Sequence, residues 1–160
     1  MSKTVTFVPA HIAADINDSA ELEECVVSGI TIGISIRHPD EETLFALDDG
    51  WYTIKFDDTE TPCGGLVMFD INQATYLSRI VSSYDHVFVH CTAGMSRSAA
   101  VAKWMADRLG HELVMHPQGV GTVAYYNKHV YRTLDAANGY DMATYYENLE
   151  REQRMMEEWK

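Results

Sequence analysis

The pattern of hydrophobic and polar positions predicts four short strands. Alternating or β-branched and aromatic stretches are typical of strands, and such stretches cover residues 4–8, 30–36, 51–56 and 86–90. Residues 87–89, Val-Phe-Val, form an unbroken apolar run. A strand that is apolar on both faces is expected inside a parallel sheet with helices on both sides.

Other hydrophobic residues recur at helical spacing. The predicted helices cover residues 18–27, 71–81, 98–109, 123–137 and 142–159, the last marked by Met142, Tyr145, Leu149, Met156 and Trp159. Asp70 is placed to cap the second helix, and Gly110 is a typical residue to end the third. Because strands and helices alternate, the sequence predicts an α/β fold: one domain over residues 1–160, with a central, mostly parallel sheet flanked by helices.

The cysteine content indicates a reducing compartment. A chain of 160 residues can bury a core without disulfides or a structural metal. Cys25, Cys63 and Cys91 are odd in number and widely spaced, so they fit neither a disulfide framework nor a zinc-binding pair. The N-terminus has no unbroken apolar segment, and the most apolar stretch, residues 26–36, is too short to span a bilayer. We therefore expect a cytoplasmic protein.

The charge distribution excludes several classes of partner. The formal net charge is −12, from 12 basic and 24 acidic residues. Residues 1–60 hold 13 acidic and 3 basic residues, whereas residues 61–140 hold 5 and 6. Proteins that bind duplex nucleic acid or an anionic membrane need a basic face, so we expect neither partner. An anionic ligand is expected to bind within the middle segment.

The segment from His90 to Ser98 has the composition of an anion site. It lies between the apolar strand and the next helix, where backbone N–H groups and the helix dipole favour negative charge. Ala93 and Gly94 are small enough for the backbone to close around an anion, and the guanidinium of Arg97 matches two phosphate oxygens. The same positive field favours a thiolate at Cys91, which is the form that attacks phosphorus.

Two other interpretations of Cys91 are available. Most lone cysteines are small buried hydrophobic residues, but here a glycine, an arginine and a hydroxyl coincide with the cysteine at the point where anions bind. A metal site formed by His86, His90 and Cys91 is disfavoured, because alternation along a strand puts the two histidines on one face and the cysteine on the other. No metal or cofactor is predicted.

The segment resembles the signature of the cysteine-dependent protein phosphatases: His-Cys, five residues, Arg, then Ser or Thr. The length of the chain and the position of the motif are similar to the compact dual-specificity and tyrosine phosphatase group. The resemblance implies that Cys91 forms a phosphocysteine intermediate, that Ser98 hydrogen-bonds the thiolate as it leaves, and that His90 orders the loop and the cysteine. It assigns phosphate binding to Thr92, Ala93, Gly94, Met95, Ser96 and Arg97.

The same family carries a general acid on a loop about thirty residues before the cysteine. Asp57 and Asp58 occupy the matching position, and the family pattern favours Asp58. Chemistry alone requires a carboxylic acid within reach of the ester oxygen, and a solvated turn is the alternative. Asn127 resembles a buried asparagine of bacterial and phage-like relatives, although a plain helical residue is the simpler interpretation. Cys25 and Cys63 are interpreted as structural.

The resemblance leaves several substrate classes to compare. Inositide phosphatases of this type have basic loop residues, and residues 92–96 contain none. RNA 5′-triphosphatases need a basic surface, which the composition lacks. A phosphorylated protein or peptide is therefore the expected substrate, with phosphotyrosine ahead of phosphoserine and phosphothreonine. The alternatives are a phosphopeptide-binding module without catalysis, which usually lacks the cysteine, arginine or acid, and a helical interaction protein built on the acidic C-terminal helix.

Overall fold

The computed structural model describes residues 3–18, 31–45, 47, 50–140, 147, 150, 151, 153–155 and 157. Five strands form one sheet in which every pair is parallel. The strands are β1 (Thr4–Pro9), β2 (Thr31–Arg37), β3 (Trp51–Lys55), β4 (His86–Cys91) and β5 (Glu112–Leu113), in the spatial order β3-β2-β4-β1-β5. The apolar strand β4 therefore lies at the centre, as expected of a strand without a polar face.

Helices cover both faces of the sheet. They are α1 (Ala10–Asp18), α2 (Ile71–Ser82), α3 (Arg97–Trp104) and α4 (Lys128–Ala137). Residues Met105–Leu109 continue α3 as a π-helical turn, which ends at Gly110. Helix α4 packs against α2 and α3 over the larger core, and α1 covers the other face with Phe45 and Trp51. Since this is an α/β structure with a parallel sheet between helices, the predicted fold class is confirmed.

Most predicted elements occur close to their predicted positions. The four predicted strands agree with β1 to β4 within one residue at each end. Asp70 caps α2 by accepting a hydrogen bond from the backbone of Gln73, whose side chain bonds back to the Asp70 amide. The prediction for residues 123–127 was wrong, because α4 begins at Lys128 after its N-cap, Asn127. Helix α1 and the two-residue strand β5 were not predicted.

Some predictions fall outside the described residues. These are the helix over residues 19–27, Cys25, and the residues Met142, Tyr145, Leu149, Met156 and Trp159 that marked the last helix. In the part of the chain that the structure describes, no helix is long and apolar enough to cross a membrane.

The parallel sheet brings several loops to one edge. Strands β1, β2 and β3 lie beside β4 or its neighbour in register, with Pro9 opposite Cys91, Ser35 opposite His90, and Lys55 opposite Arg37. The segments that follow these strands therefore leave the sheet at the same end. Ligands of open α/β sheets bind at this carboxyl edge.

Candidate active site

Cys91 is the last residue of β4, and its thiol faces the first turn of α3. Its Sγ atom lies 3.1 Å from the hydroxyl oxygen of Ser98. Cys91 is 3% exposed and Ser98 is fully buried. The cysteine is a free thiol. The hydroxyl can donate to the sulfur when the cysteine is a thiolate, and this is the contact that the predicted role of Ser98 requires.

Arg97 begins α3, and its guanidinium is buried beside the loop. One terminal nitrogen donates to the carbonyl oxygen of Phe56 at 2.8 Å, and the other donates to the Thr92 hydroxyl at 3.3 Å. Arg97 is 2% exposed, and its Nε atom has no hydrogen-bond partner among the described residues. An unpaired buried donor on a permanent cation is costly. An anion bound beside the loop would satisfy both the charge and the donor.

Residues 92–96 form a tight loop that lies against the end of β1. The carbonyl oxygen of Thr92 accepts a hydrogen bond from the amide of Ala10 at 3.2 Å. Gly94 has a φ of +70°, and a Cβ atom there would lie 2.3 Å from the backbone nitrogen of Pro9. The loop can adopt this path because position 94 has no side chain.

The first turn of α3 has no side-chain cap. Ser96 occupies the N-cap position, but its side chain makes no hydrogen bond to the helix backbone. The first amides of a helix need an acceptor from outside the helix. At this end of α3, beside Arg97 and Cys91, an anion can supply it.

His90 hydrogen-bonds to the backbone of Cys91 and to the side chain of Ser35. The ring is completely buried, with Nδ1 3.2 Å from the Cys91 carbonyl oxygen and Nε2 2.6 Å from the Ser35 hydroxyl. Because a carbonyl oxygen only accepts, Nδ1 carries the hydrogen and Nε2 accepts from Ser35. Burial lowers the pKa of His90 to about 4. The imidazole is therefore neutral at pH 7 and orders the cysteine without contacting its sulfur.

Asp58 reaches the loop over residues 92–96 from the segment after β3. Its Oδ1 atom accepts hydrogen bonds from the Ser96 hydroxyl at 2.7 Å and from the Asn127 side-chain amide at 2.8 Å. Asp58 is exposed. The carboxyl group therefore lies on the solvent side of the loop that joins Cys91 to Arg97.

Asp57 faces a different set of partners. One carboxylate oxygen accepts from the amide of Val67 at 2.8 Å, and the other lies 3.2 Å from His38 Nδ1. The Val67 hydrogen bond is the main cause that holds the pKa of Asp57 below its usual value, and His38 and Arg97 act in the same direction. Asp57 thus closes the loop over residues 57–67 and ties it to the end of β2.

The structure brings four of the predicted catalytic side chains together. Cys91, Arg97 and Ser98 meet at the start of α3, and Asp58 joins them through Ser96. His90 lies behind them. The sequence analysis missed Ser35 and the Phe56 carbonyl, since neither belongs to a local motif. It favoured a plain helical role for Asn127. In the structure Asn127 caps α4 by accepting from the Val130 amide, and its side-chain amide donates to Asp58.

Of the other two cysteines, Cys63 is an exposed free thiol, and Cys25 lies outside the described residues. Among the described residues there is no group of three or more histidine, cysteine or carboxylate side chains arranged to hold a metal ion.

No protein-family model matches this chain, and neither a curated protein nor a solved structure matches it significantly. The resemblance to the cysteine phosphatases therefore rests on the motif from residue 90 to residue 98 and on the side chains grouped around it.

Proposed function

We propose that this protein is a cysteine-dependent phosphatase that hydrolyses phosphomonoesters on proteins through a phosphocysteine intermediate. The observation that carries the proposal is the buried guanidinium of Arg97, whose Nε atom has no partner among the described residues, next to the loop that follows Cys91. A buried cation with a free donor, an uncapped helix start and a free thiol together suit a bound phosphoryl group.

In the first step, the thiolate sulfur of Cys91 forms a bond to phosphorus as the bond to the ester oxygen breaks. The electron pair of that bond goes to the leaving oxygen, which takes a proton from the carboxylic acid of Asp58. The amides of residues 92–97 and the Arg97 guanidinium hold the three equatorial oxygens as their charge redistributes.

In the second step, Asp58 is a carboxylate and takes a proton from water as the water oxygen attacks phosphorus. The sulfur–phosphorus bond breaks and its electron pair returns to Cys91. The Ser98 hydroxyl, 3.1 Å from the sulfur, donates a hydrogen bond to the departing thiolate. Inorganic phosphate is the product.

The contacts of the two neighbouring aspartates support Asp58 as the acid. Both oxygens of Asp57 are held by Val67 and His38. Asp58 shares one oxygen with Ser96 and Asn127, and its other oxygen has no hydrogen-bond partner among the described residues. A general acid needs an oxygen that can approach the substrate.

The composition of the loop supports a protein substrate over a polyphosphorylated one, because residues 92–96 contain no basic side chain to hold a second phosphate. Glu41 and Asp57 both sense the charge of Arg97, and hydrogen bonds from His38 and Val67 keep the pKa of each carboxyl below its usual value. Glu41 is itself paired with Arg37 at 3.1 Å, so its charge is compensated locally. A free thiol nucleophile also suits the reducing cytoplasm.

The test is a hydrolysis assay of wild type and Cys91→Ser on a phosphopeptide panel, an inositide phosphate and RNA with a 5′-triphosphate. We expect wild type to release phosphate preferentially from phosphotyrosine peptides, and Cys91→Ser to bind the same peptides without turnover. Cys63→Ser is the matched control and should keep full activity, because that thiol is exposed and forms no disulfide. Substantial turnover by Cys91→Ser would contradict the covalent mechanism.

A further inference from the structure

We propose that Ser96 and Asn127 are positioning residues that fix Oδ1 of Asp58, so that Oδ2 is the oxygen that gives up the proton. The inference rests on the proposed phosphatase function, and it specifies which oxygen of Asp58 carries the transferred proton. Three hydrogen bonds carry it, and they join Asp58, the loop over residues 92–96 (here the phosphate loop) with Ser96 at its end, and Asn127 at the start of α4.

The hydroxyl of Ser96 is committed to Asp58. A serine at an N-cap ordinarily accepts from the second or third amide of its helix. Ser96 makes no such bond, and its hydroxyl donates to Asp58 Oδ1 at 2.7 Å. The residue that enters α3 next to Arg97 therefore contributes its side chain to the acid.

The side chain of Asn127 is held in one orientation. Its Oδ1 atom accepts from the amide of Val130 at 3.0 Å, while Nδ2 donates to Asp58 at 2.8 Å and to the Thr59 carbonyl at 3.2 Å. The residue is 1% exposed. Rotation of the amide would break all three bonds, so the donor stays directed at Asp58.

Ser96 and Asn127 are also joined directly. The backbone amide of Asn127 donates to the carbonyl oxygen of Ser96 at 3.0 Å. The two donors therefore have a fixed separation, and both meet the same oxygen of Asp58. A shift of α4 relative to the phosphate loop would move the acid with it.

This arrangement determines where the acid proton resides. With two donors, the lone pairs of Oδ1 are occupied, and a proton there would displace one of them. The Oδ2 atom has no partner among the described residues. In the protonated enzyme Oδ2 therefore carries the hydrogen; it passes the proton to the leaving oxygen as the phosphorus–oxygen bond breaks, and later takes one from water.

The test measures kcat/KM for a series of aryl phosphates, from phenyl phosphate to dinitrophenyl phosphate. This parameter reports the steps up to phosphocysteine formation. A dinitrophenolate leaves without a proton, whereas phenolate needs one, so a defect in the acid grows with the basicity of the leaving group. The variants are Ser96→Ala and Asn127→Ser. The serine of Asn127→Ser can still cap α4, but it lacks the amide donor.

We expect each variant to lose about tenfold with phenyl phosphate and less than about threefold with dinitrophenyl phosphate, a fraction of the loss for a deleted general acid. The matched controls, Ser83→Ala and Asn138→Ser, remove hydroxyl and amide groups that bond only to helix carbonyls among the described residues. Both should follow wild type across the series.

Two outcomes would overturn the inference. An equal loss for every leaving group would mean that the variants only disturb the phosphate loop, and an unchanged rate would mean that the two donors do not position the acid. If wild type hydrolyses none of the aryl phosphates while Cys91 is intact, the proposed function itself fails. If wild type is active and Asp58→Asn reproduces the leaving-group dependence while Ser96→Ala does not, the function stands and the positioning role fails.

Discussion

Replacing Gly94 by alanine tests whether the loop from Cys91 to Arg97 is built as described. The backbone at Gly94 has a φ of +70°, and the added Cβ would lie 2.3 Å from Pro9 N, 2.5 Å from Val8 C and 2.8 Å from Pro9 Cα. All three contacts are with the backbone of β1, which is bonded in register to β4. Such atoms cannot move aside as a flexible side chain does.

The magnitude has two parts. A positive φ costs an L-residue about 1–2 kcal/mol, and overpacking against fixed atoms costs about 1–3 kcal/mol more. We therefore expect Gly94→Ala to lower the free energy of unfolding by about 2–5 kcal/mol. Alternatively the loop moves outward by 1.1 Å, from 2.3 Å to the 3.4 Å of ordinary contact. A displacement of about 1 Å at a catalytic group lowers the rate about 100-fold.

Gly110→Ala is the matched control. Its φ is +76°, and no atom lies within 4 Å of the added Cβ. It should therefore pay the conformational part alone, about 1–2 kcal/mol, and keep the phosphatase activity that we propose. Urea denaturation of both variants and their kcat/KM on an aryl phosphate give the comparison. Equal stability losses, with full activity in Gly94→Ala, would refute the packing of this loop against β1.

Three further predictions concern ionisable side chains. Asp58→Asn should lower turnover of phenyl phosphate at least about 100-fold at unchanged stability. Asp57→Ala should lower the free energy of unfolding by about 1–2 kcal/mol and reduce turnover less than Asp58→Asn does. A larger loss of turnover in Asp57→Ala would exchange the roles of the two aspartates. Arg97→Lys should abolish phosphate protection of Cys91 from iodoacetate, because lysine cannot span the Phe56 carbonyl and Thr92; retained protection would contradict it. The pKa of His90 is lowered from 6.5 to about 4 in the folded protein, so as the pH falls the unfolded chain takes up this proton at a higher pH than the folded chain does. The free energy of unfolding should therefore fall by about 2 kcal/mol as the pH drops to about 5. Urea titrations in which His90→Gln shows the same fall would refute this.

The sequence predicts the sheet well because its strands are marked by local composition. The Val-Phe-Val run at residues 87–89 identified the central strand, and Asp70 identified a helix start, since both signals depend on a few neighbouring residues. Helix α1 was missed because it follows β1 without a linker, and only Ile12 and Ile16 among its nine residues are large and apolar, so the helical spacing is marked only once. The two-residue strand β5 is too short to produce a periodic signal.

The candidate site, too, was predictable from the sequence only where its residues are close together in the chain. Cys91, Arg97 and Ser98 occur within one motif, so their proximity follows from the turn between β4 and α3. The partners of His90 and Arg97 do not: Ser35 lies 55 residues away and Phe56 lies 41 residues away. Contacts between distant segments depend on strand order, and an isolated serine in a strand carries no sign that it will donate a hydrogen bond to a histidine.

Asp57 and Asp58 are neighbours in sequence but contact different elements. The carboxylate of Asp57 faces His38 at the end of β2, and that of Asp58 faces Ser96 at the start of α3. The first closes the loop over residues 57–67, and the second reaches the loop that joins Cys91 to Arg97, so we expect two adjacent aspartates of identical chemistry to perform different tasks. A change at Asp57 should consequently register in stability before it registers in the dependence on the leaving group, and a change at Asp58 should do the opposite.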